Sequence, residues 1–206
     1  IPIGFQLYTV RGEFARNVPD TLKTLGQLGY QGVEFWGYGS TPNVYQQYSA
    51  AQLRKLLDEH GLKCCGMHLT LAALSKDNLK RTIENNQALG SEYLNVAAAK
   101  EKMGSETAIA ELATILNETA VQCRPLKMVV GYHAHPFDFV KINGRFAWEI
   151  LFSQTQPEVN MQMDVGNCLG GDGDPIAMLK KFPGRTRTIH IKEHEAKTFE
   201  SDFYKE

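Results

Sequence analysis

The stretch Met128-Val129-Val130-Gly131-Tyr132-His133 decides the reading of this chain. It is a short apolar run that ends on a polar residue. A long amphipathic segment precedes it, from about Ser105 to Cys123, and Pro125 stops that segment. A shorter helical pattern follows over Arg145–Ser153, and then a second apolar run, Asn160–Asp164. Strand, helix, strand is the βαβ unit of a parallel sheet.

The same rhythm extends in both directions. Apolar runs recur near Ile3–Tyr8, Gly32–Trp36, Lys63–His68, Tyr93–Ala97 and Thr186–Ile191. Their spacing of roughly 30 residues is that of a βαβ unit. The helices between them have legible ends. Pro19 opens the first and Gly29 stops it; Ser49 caps the second and Gly61 ends it; the third runs from Ser75 to Gly90. A last short helix covers Pro175–Lys181. Seven βα units without a long interruption predict an α/β fold, a parallel (β/α)8 TIM-type barrel, in one domain over residues 1–206. An eighth strand is missing from this pattern, so either the last βα unit is expected beyond Glu206 or the barrel is open at one side. A doubly wound open sheet is the alternative, but no G-x-G-x-x-G follows the first strand. Gly170-Gly171-Asp172-Gly173 lacks a P-loop lysine and reads as a flexible active-site loop.

Composition bounds the function. The chain has 206 residues, 43% of them hydrophobic, and a net charge of −1. That balance suits one sizeable core and gives no support for a nucleic-acid partner. No apolar stretch reaches the roughly 20 residues of a membrane span. The four cysteines lack the paired C-x-x-C spacing of zinc sites and read as buried thiols. The chain opens on Ile1, so a processed or trimmed N-terminus is expected, and cytoplasmic and periplasmic locations both stay open. A homo-oligomer is equally compatible with the sequence.

Each predicted strand carries one polar residue between apolar neighbours near its C-terminal end. The central residues are Gln6, Glu34, His68, Asn95, His133, Asp164 and His190. Strand side chains alternate faces, and the face packed on helices must be apolar. The polar residues should therefore point inward at the C-terminal mouth, where such barrels hold their active sites. For Gln6 and Asn95 a hydrogen-bonded core role competes. His133, Asp164 and His190 are two imidazoles and a carboxylate on successive strands, the donor set of a divalent cation. His135 shares the parity of His133, one step further out. Trp36 lies beside Glu34, where an apolar ring suits a sugar's C–H face, although a core tryptophan reads the same. Lys192 shares the parity of His190 and is a candidate for a substrate oxygen, with a solvated lysine as the alternative. His60, at a helix end, reads as structural, and His194 as exposed. Trp148 and Phe152, four apart on a helix, read as core.

Gly131-Tyr132-His133-Ala134-His135-Pro136-Phe137-Asp138-Phe139 resembles the G-Y-H-x-H-x-x-E-F segment of sugar phosphate isomerase/epimerase proteins of the xylose-isomerase-like superfamily. Met163-Asp164-Val165-Gly166-Asn167 and Ile189-His190-Ile191-Lys192-Glu193 resemble its next two signatures. Ile3-Gly4-Phe5-Gln6-Leu7-Tyr8-Thr9-Val10-Arg11 and Gly29-Tyr30-Gln31-Gly32-Val33-Glu34 resemble its opening. The resemblance implies a barrel with one divalent metal ion, Mn, Mg, Zn or Co, acting on a small sugar, keto-sugar or sugar phosphate. Asp164 and His190 fit its metal-ligand places, with His133 as the third candidate ligand; proton transfer would fall to Glu34, His68, His135 or a glutamate beyond Glu206, and Gln6, Trp36, Asn167 and Lys192 are the candidates for substrate contact. Two departures stand out. His133 occupies the place of a fifth-strand glutamate ligand, and the eighth-strand glutamate has no counterpart before Glu206. In the epimerases those two glutamates exchange the proton next to the carbonyl. With one replaced by histidine, a one-base dehydratase or lyase reaction stands beside isomerisation, inosose dehydratases being relatives with a histidine-rich fifth strand. A non-catalytic sugar-binding barrel is a third reading. An AP-endonuclease-type nuclease is a fourth; it needs several zinc ions and a basic surface, and the charge argues against it.

Overall fold

The computed structural model describes residues 1–194. Two compact units divide the chain, Ile1–Ala97 with Val121–Val130, and Ala98–Ala120 with the residues from Gly131 onward.

The first unit alternates four strands with the helices between them. Its strands are β1 (Gly4–Gln6), β2 (Gly32–Tyr38), β3 (Lys63–Leu69) and β4 (Tyr93–Val96), paired in parallel in that order. Its helices are α1 (Arg11–Arg16), α2 (Val18–Gln27), α3 (Ala50–Glu59) and α4 (Leu79–Leu89). The expected signals act where they stand. Pro19 sits in the first turn of α2, and Ser49 and Gln52 form a reciprocal capping box on α3. Gly90 takes the left-handed conformation that ends α4. That helix begins at Leu79 rather than Ser75, because Ser75–Asn78 form a turn whose Ser75 carbonyl accepts from both Asn78 and Leu79. Leu22, Val33, Phe35, Leu53, Leu57 and Met67 fill the core.

The second unit begins with most of α5 (Glu106–Cys123) and takes the end of β5 (Val129–His133). A hairpin of β6 (Lys141–Ile142) and β7 (Arg145–Phe146) follows. Its turn, Asn143-Gly144, has positive φ at both positions, the conformation that Asn-Gly favours. The hairpin delays α6 to Ala147–Gln154. Then come β8 (Asn160–Asp164), α7 (Val165–Gly170), α8 (Pro175–Lys181) and β9 (Ile189–His190). Strands β5, β8 and β9 pair in parallel. Trp148, Leu151 and Phe152 on α6 are buried with Met161 and Met163, as expected of Trp148 and Phe152.

Seven strands form one sheet in the order β1-β2-β3-β4-β5-β8-β9. The order follows the chain without reversal. A doubly wound sheet reverses its order at a switch point, so that alternative falls and the α/β barrel class stands.

The glycine-rich segment is not the open loop its composition suggests. Gly170 ends α7, and Gly171 and Gly173 pack against Phe139. A Cβ on Gly171 would lie 2.5 Å from the Pro136 carbonyl oxygen, and one on Gly173 would lie 2.7 Å from Cys168 Sγ. Close approach, not chain freedom, accounts for these glycines.

Candidate metal centre and proton-transfer residues

In the first unit three expected residues meet. Gln6 and Glu34 are register partners on β1 and β2. The Gln6 side-chain amide donates to Glu34 Oε2 at 2.9 Å, and His68 Nε2 lies 3.3 Å from the same oxygen. Glu34 and His68 are buried, 4% and 7% exposed. A carboxylate and an imidazole at this distance, shielded from water, form an acid–base pair able to hold or pass one proton. Gly66, the register partner of Glu34 on β3, leaves the room for that carboxylate: a Cβ there would collide with Glu34 Oε1. Asn95 stands opposite His68 on β4 and is fully buried.

Trp36 lies two residues beyond Glu34 on β2, in the stretch between Phe35 and Tyr38 where the pairing with β3 shifts register. It is half-buried, with its ring 5.8 Å from Tyr8, 5.9 Å from Phe14 and 5.1 Å from Tyr45. With Thr41, Asn43, Tyr45 and Gln46 it lines a cleft of about 430 Å³. The ring thus packs on aromatic neighbours while the residue remains partly exposed.

In the second unit the proposed metal ligands meet. Asp164 ends β8, and its register partner on β9 is His190. Asp164 Oδ2 lies 3.8 Å from His133 Nε2 and 3.7 Å from His190 Nδ1. The rings of His133 and His190 stand 4.6 Å apart. These separations exceed hydrogen-bond reach, but two ligands on one divalent ion, each about 2.0–2.2 Å from it, stand roughly 3–4 Å apart. His133 and Asp164 are almost fully buried and His190 partly so. Two imidazoles facing one buried carboxylate oxygen at this spacing fit a divalent cation.

The other Asp164 oxygen has a structural task. Oδ1 accepts the Asn167 backbone N–H at 2.7 Å and caps α7. Asn167 donates its side-chain amide to the Ala134 carbonyl at 2.8 Å and accepts from Lys192 Nζ at 2.9 Å. Asn167 thereby ties β5, α7 and Lys192 together. The backbone after β9 runs so close to Gly166 that a Cβ there would lie 2.9 Å from the Lys192 carbonyl oxygen.

His135 lies beside His133, ring centroids 5.0 Å apart, and stacks on Phe137 at 5.2 Å. Its backbone N–H donates to Asp138 Oδ2 at 2.7 Å. The Tyr132 hydroxyl donates to Asp138 Oδ1 at 3.0 Å and accepts from the Ala99 N–H at 3.1 Å. Asp138 is fully buried. Burial pushes its carboxyl up to about 8, against the downward pull of the His135 amide and the Tyr132 hydroxyl. Burial likewise raises the Cys64, Cys65, Cys123 and Cys168 thiols, which keeps them protonated and inert. His194 is half-buried rather than exposed. Asp138 and Gly66 escape a reading by residue type. Only register or packing brings them to this chemistry.

Residues 22–202 match the family model described as the xylose isomerase-like TIM barrel. The chain belongs to this family. No curated protein sequence matches it. Among solved structures, a sugar phosphate isomerase/epimerase from Parabacteroides distasonis is 23% identical, with a TM-score of 0.83 over 93% of this chain and 75% of that one. The probable 3-DHS dehydratase AsbF of Bacillus anthracis is 14% identical, with a TM-score of 0.69 over 94% and 73%. A D-psicose 3-epimerase is 10% identical, with a TM-score of 0.65 over 94% and 73%. At these identities the likeness is one of fold. Among the described residues no helix is long and apolar enough to cross a membrane.

Proposed function

We propose that this family member is a divalent-metal sugar isomerase or epimerase that moves a proton next to the carbonyl of a small sugar, keto-sugar or sugar phosphate. One observation carries the proposal: the Asp164 oxygen facing His133 Nε2 and His190 Nδ1 at ligand spacing. His133, Asp164 and His190 would hold the ion. A bound Mn, Mg, Zn or Co ion would polarise a carbonyl oxygen as a Lewis acid. Glu34 is the candidate base. Gln6 and His68 both address its Oε2, and a proton taken there can be shared with His68. His135 is the second candidate. Trp36 would take the apolar face of a sugar, and Lys192 a substrate oxygen or phosphate.

A lyase reading is favoured by one observation. His133 stands at a glutamate's place and has its Nδ1 engaged by Gln162, so the ring supplies no second base once Nε2 is a ligand. Elimination of water from a keto-sugar needs only one base to start it.

Metal analysis of the purified protein tests the proposal, followed by a keto-sugar screen in heavy water with added Mn. Bound divalent metal and substrate-dependent deuterium uptake are the expected results, with loss of water from the product marking the lyase. Absence of metal, together with a His133→Ala variant unchanged in metal content and activity, refutes it.

A further inference from the structure

The side-chain amide of Gln6 carries an inference that rests on the reading of Glu34 as the base. Two neighbours set its direction. The Tyr8 backbone N–H can only donate, and it donates to Gln6 Oε1 at 3.1 Å. The nitrogen end of the amide is therefore the end that faces Glu34, and Nε2 donates to Glu34 Oε2 at 2.9 Å. Neither contact depends on a rotatable hydroxyl or on a ring tautomer. Gln6 ends β1, and its side chain caps the tight turn Leu7–Val10 that follows. Register places Glu34 of β2 directly beside it. On the β3 side, Gly66 admits Glu34 Oε1 where a Cβ would collide with it. The carboxylate is thus held from both neighbouring strands.

Burial works against a base of this kind. Glu34 is 4% exposed, and removal from water favours the neutral carboxylic acid, which takes no proton. A hydrogen bond donated to the carboxylate favours the anion instead. Gln6 Nε2 donates at any pH, since an amide does not titrate. On β3 three titratable groups face Glu34. His68 Nε2 lies 3.3 Å from Oε2, and the Cys64 and Cys65 thiols feel its charge, which opposes their ionisation. Burial keeps both thiols protonated, so of these three His68 is the one that titrates with Glu34. We infer that Gln6 is a positioning residue, which holds the buried Glu34 carboxylate in one rotation and as the anion that a base must be. An apolar side chain of similar length would pack in the same place and leave that anion without this donor.

Carbon-13 spectra of the labelled, metal-free protein follow the Glu34 carboxyl through its titration, with a Glu34→Gln variant assigning the signal. A His68→Gln background removes the coupled imidazole. Gln6→Met should raise the Glu34 midpoint by about one to two pH units. Gln6→Glu keeps an oxygen for the Tyr8 N–H and loses the donor, which separates the cap from the effect on Glu34. It should raise the midpoint at least as far, because a second carboxylate then stands beside the first. With His68 restored and Mn present, both variants should lower kcat for deuterium uptake into a keto-hexose, with KM unchanged. The loss should reach about 10–100-fold at pH values below both midpoints and fade at higher pH. A shift in Gln6→Met that Gln6→Glu does not share comes from the lost cap and overturns the inference, as does no shift in either. A raised KM with midpoint and kcat unchanged also overturns it and makes Gln6 a substrate contact. Wild-type protein that takes up no deuterium into any keto-sugar overturns the base, and the positioning role with it. Should Gln6→Met fail to fold, Gln6→Glu decides.

Discussion

Asp164 Oδ1 accepts the backbone N–H of Asn167 at 2.7 Å, so the residue that caps α7 is also the carboxylate between two imidazoles. Its two oxygens divide the work, and the division can be read by substitution. Asp164→Asn keeps a carbonyl oxygen for the cap and should unfold in urea within about 1 kcal/mol of wild type. Asp164→Ala loses the cap and should cost about 1–2 kcal/mol. Both should lose calorimetric Mn or Zn binding, because the negative charge is gone. Retained affinity in Asp164→Asn would remove this carboxylate from the metal centre.

The polar centres of the strands are legible because parity in a sheet is a local property. Alternation along each strand predicts that these residues share a face, and register then brings Gln6 to Glu34 and Asp164 to His190. Gln162 was not legible. Between Met161 and Met163 it reads as one more buried strand position, and its partner His133 follows only from register between strands. Gly171 and Gly173 mislead for the same reason: their need for close approach to Pro136, Cys168 and Phe139 is tertiary, and local composition suggests mobility instead. The Asn143-Gly144 turn carried a readable hairpin signal, but its two-residue strands are too short to show alternation.

Gly66 and Glu34 should couple. A Cβ on Gly66 would strike the Glu34 carboxylate, so Gly66→Ala should cost about 1–3 kcal/mol by overpacking. In a Glu34→Ala background the obstacle is gone and most of that cost should vanish. A double-mutant cycle by urea unfolding checks this. Additive effects would mean that Gly66 answers to the strand backbone and not to the carboxylate.

Asp138 should make stability fall with pH. Its carboxyl is held near 8 in the folded protein against 3.8 when unperturbed. Between those values the folded state binds a proton that the unfolded state has released. The stabilisation is complete below about pH 4 and is lost as pH rises through 8. Asp138→Asn has no such proton. Urea midpoints measured across this range should decline for wild type and decline less for Asp138→Asn. Parallel declines would place the proton elsewhere.

Trp36 offers a direct test of substrate contact, because its environment differs from that of Trp148, the second tryptophan. Trp148 is fully buried, whereas Trp36 is half-buried and lines the cleft with Tyr45 and Asn43. Acrylamide should therefore quench Trp36 and spare Trp148. Trp148→Phe should keep the quenchable emission and Trp36→Phe should lose it, which assigns the signal. A keto-hexose in excess, with Mn present, should then shield Trp36 if the sugar's C–H face lies on the indole. Deuterium exchange into that sugar with Trp36 still fully quenchable would leave the indole as core packing. Substrate recognition would then have to come from the polar strand ends instead.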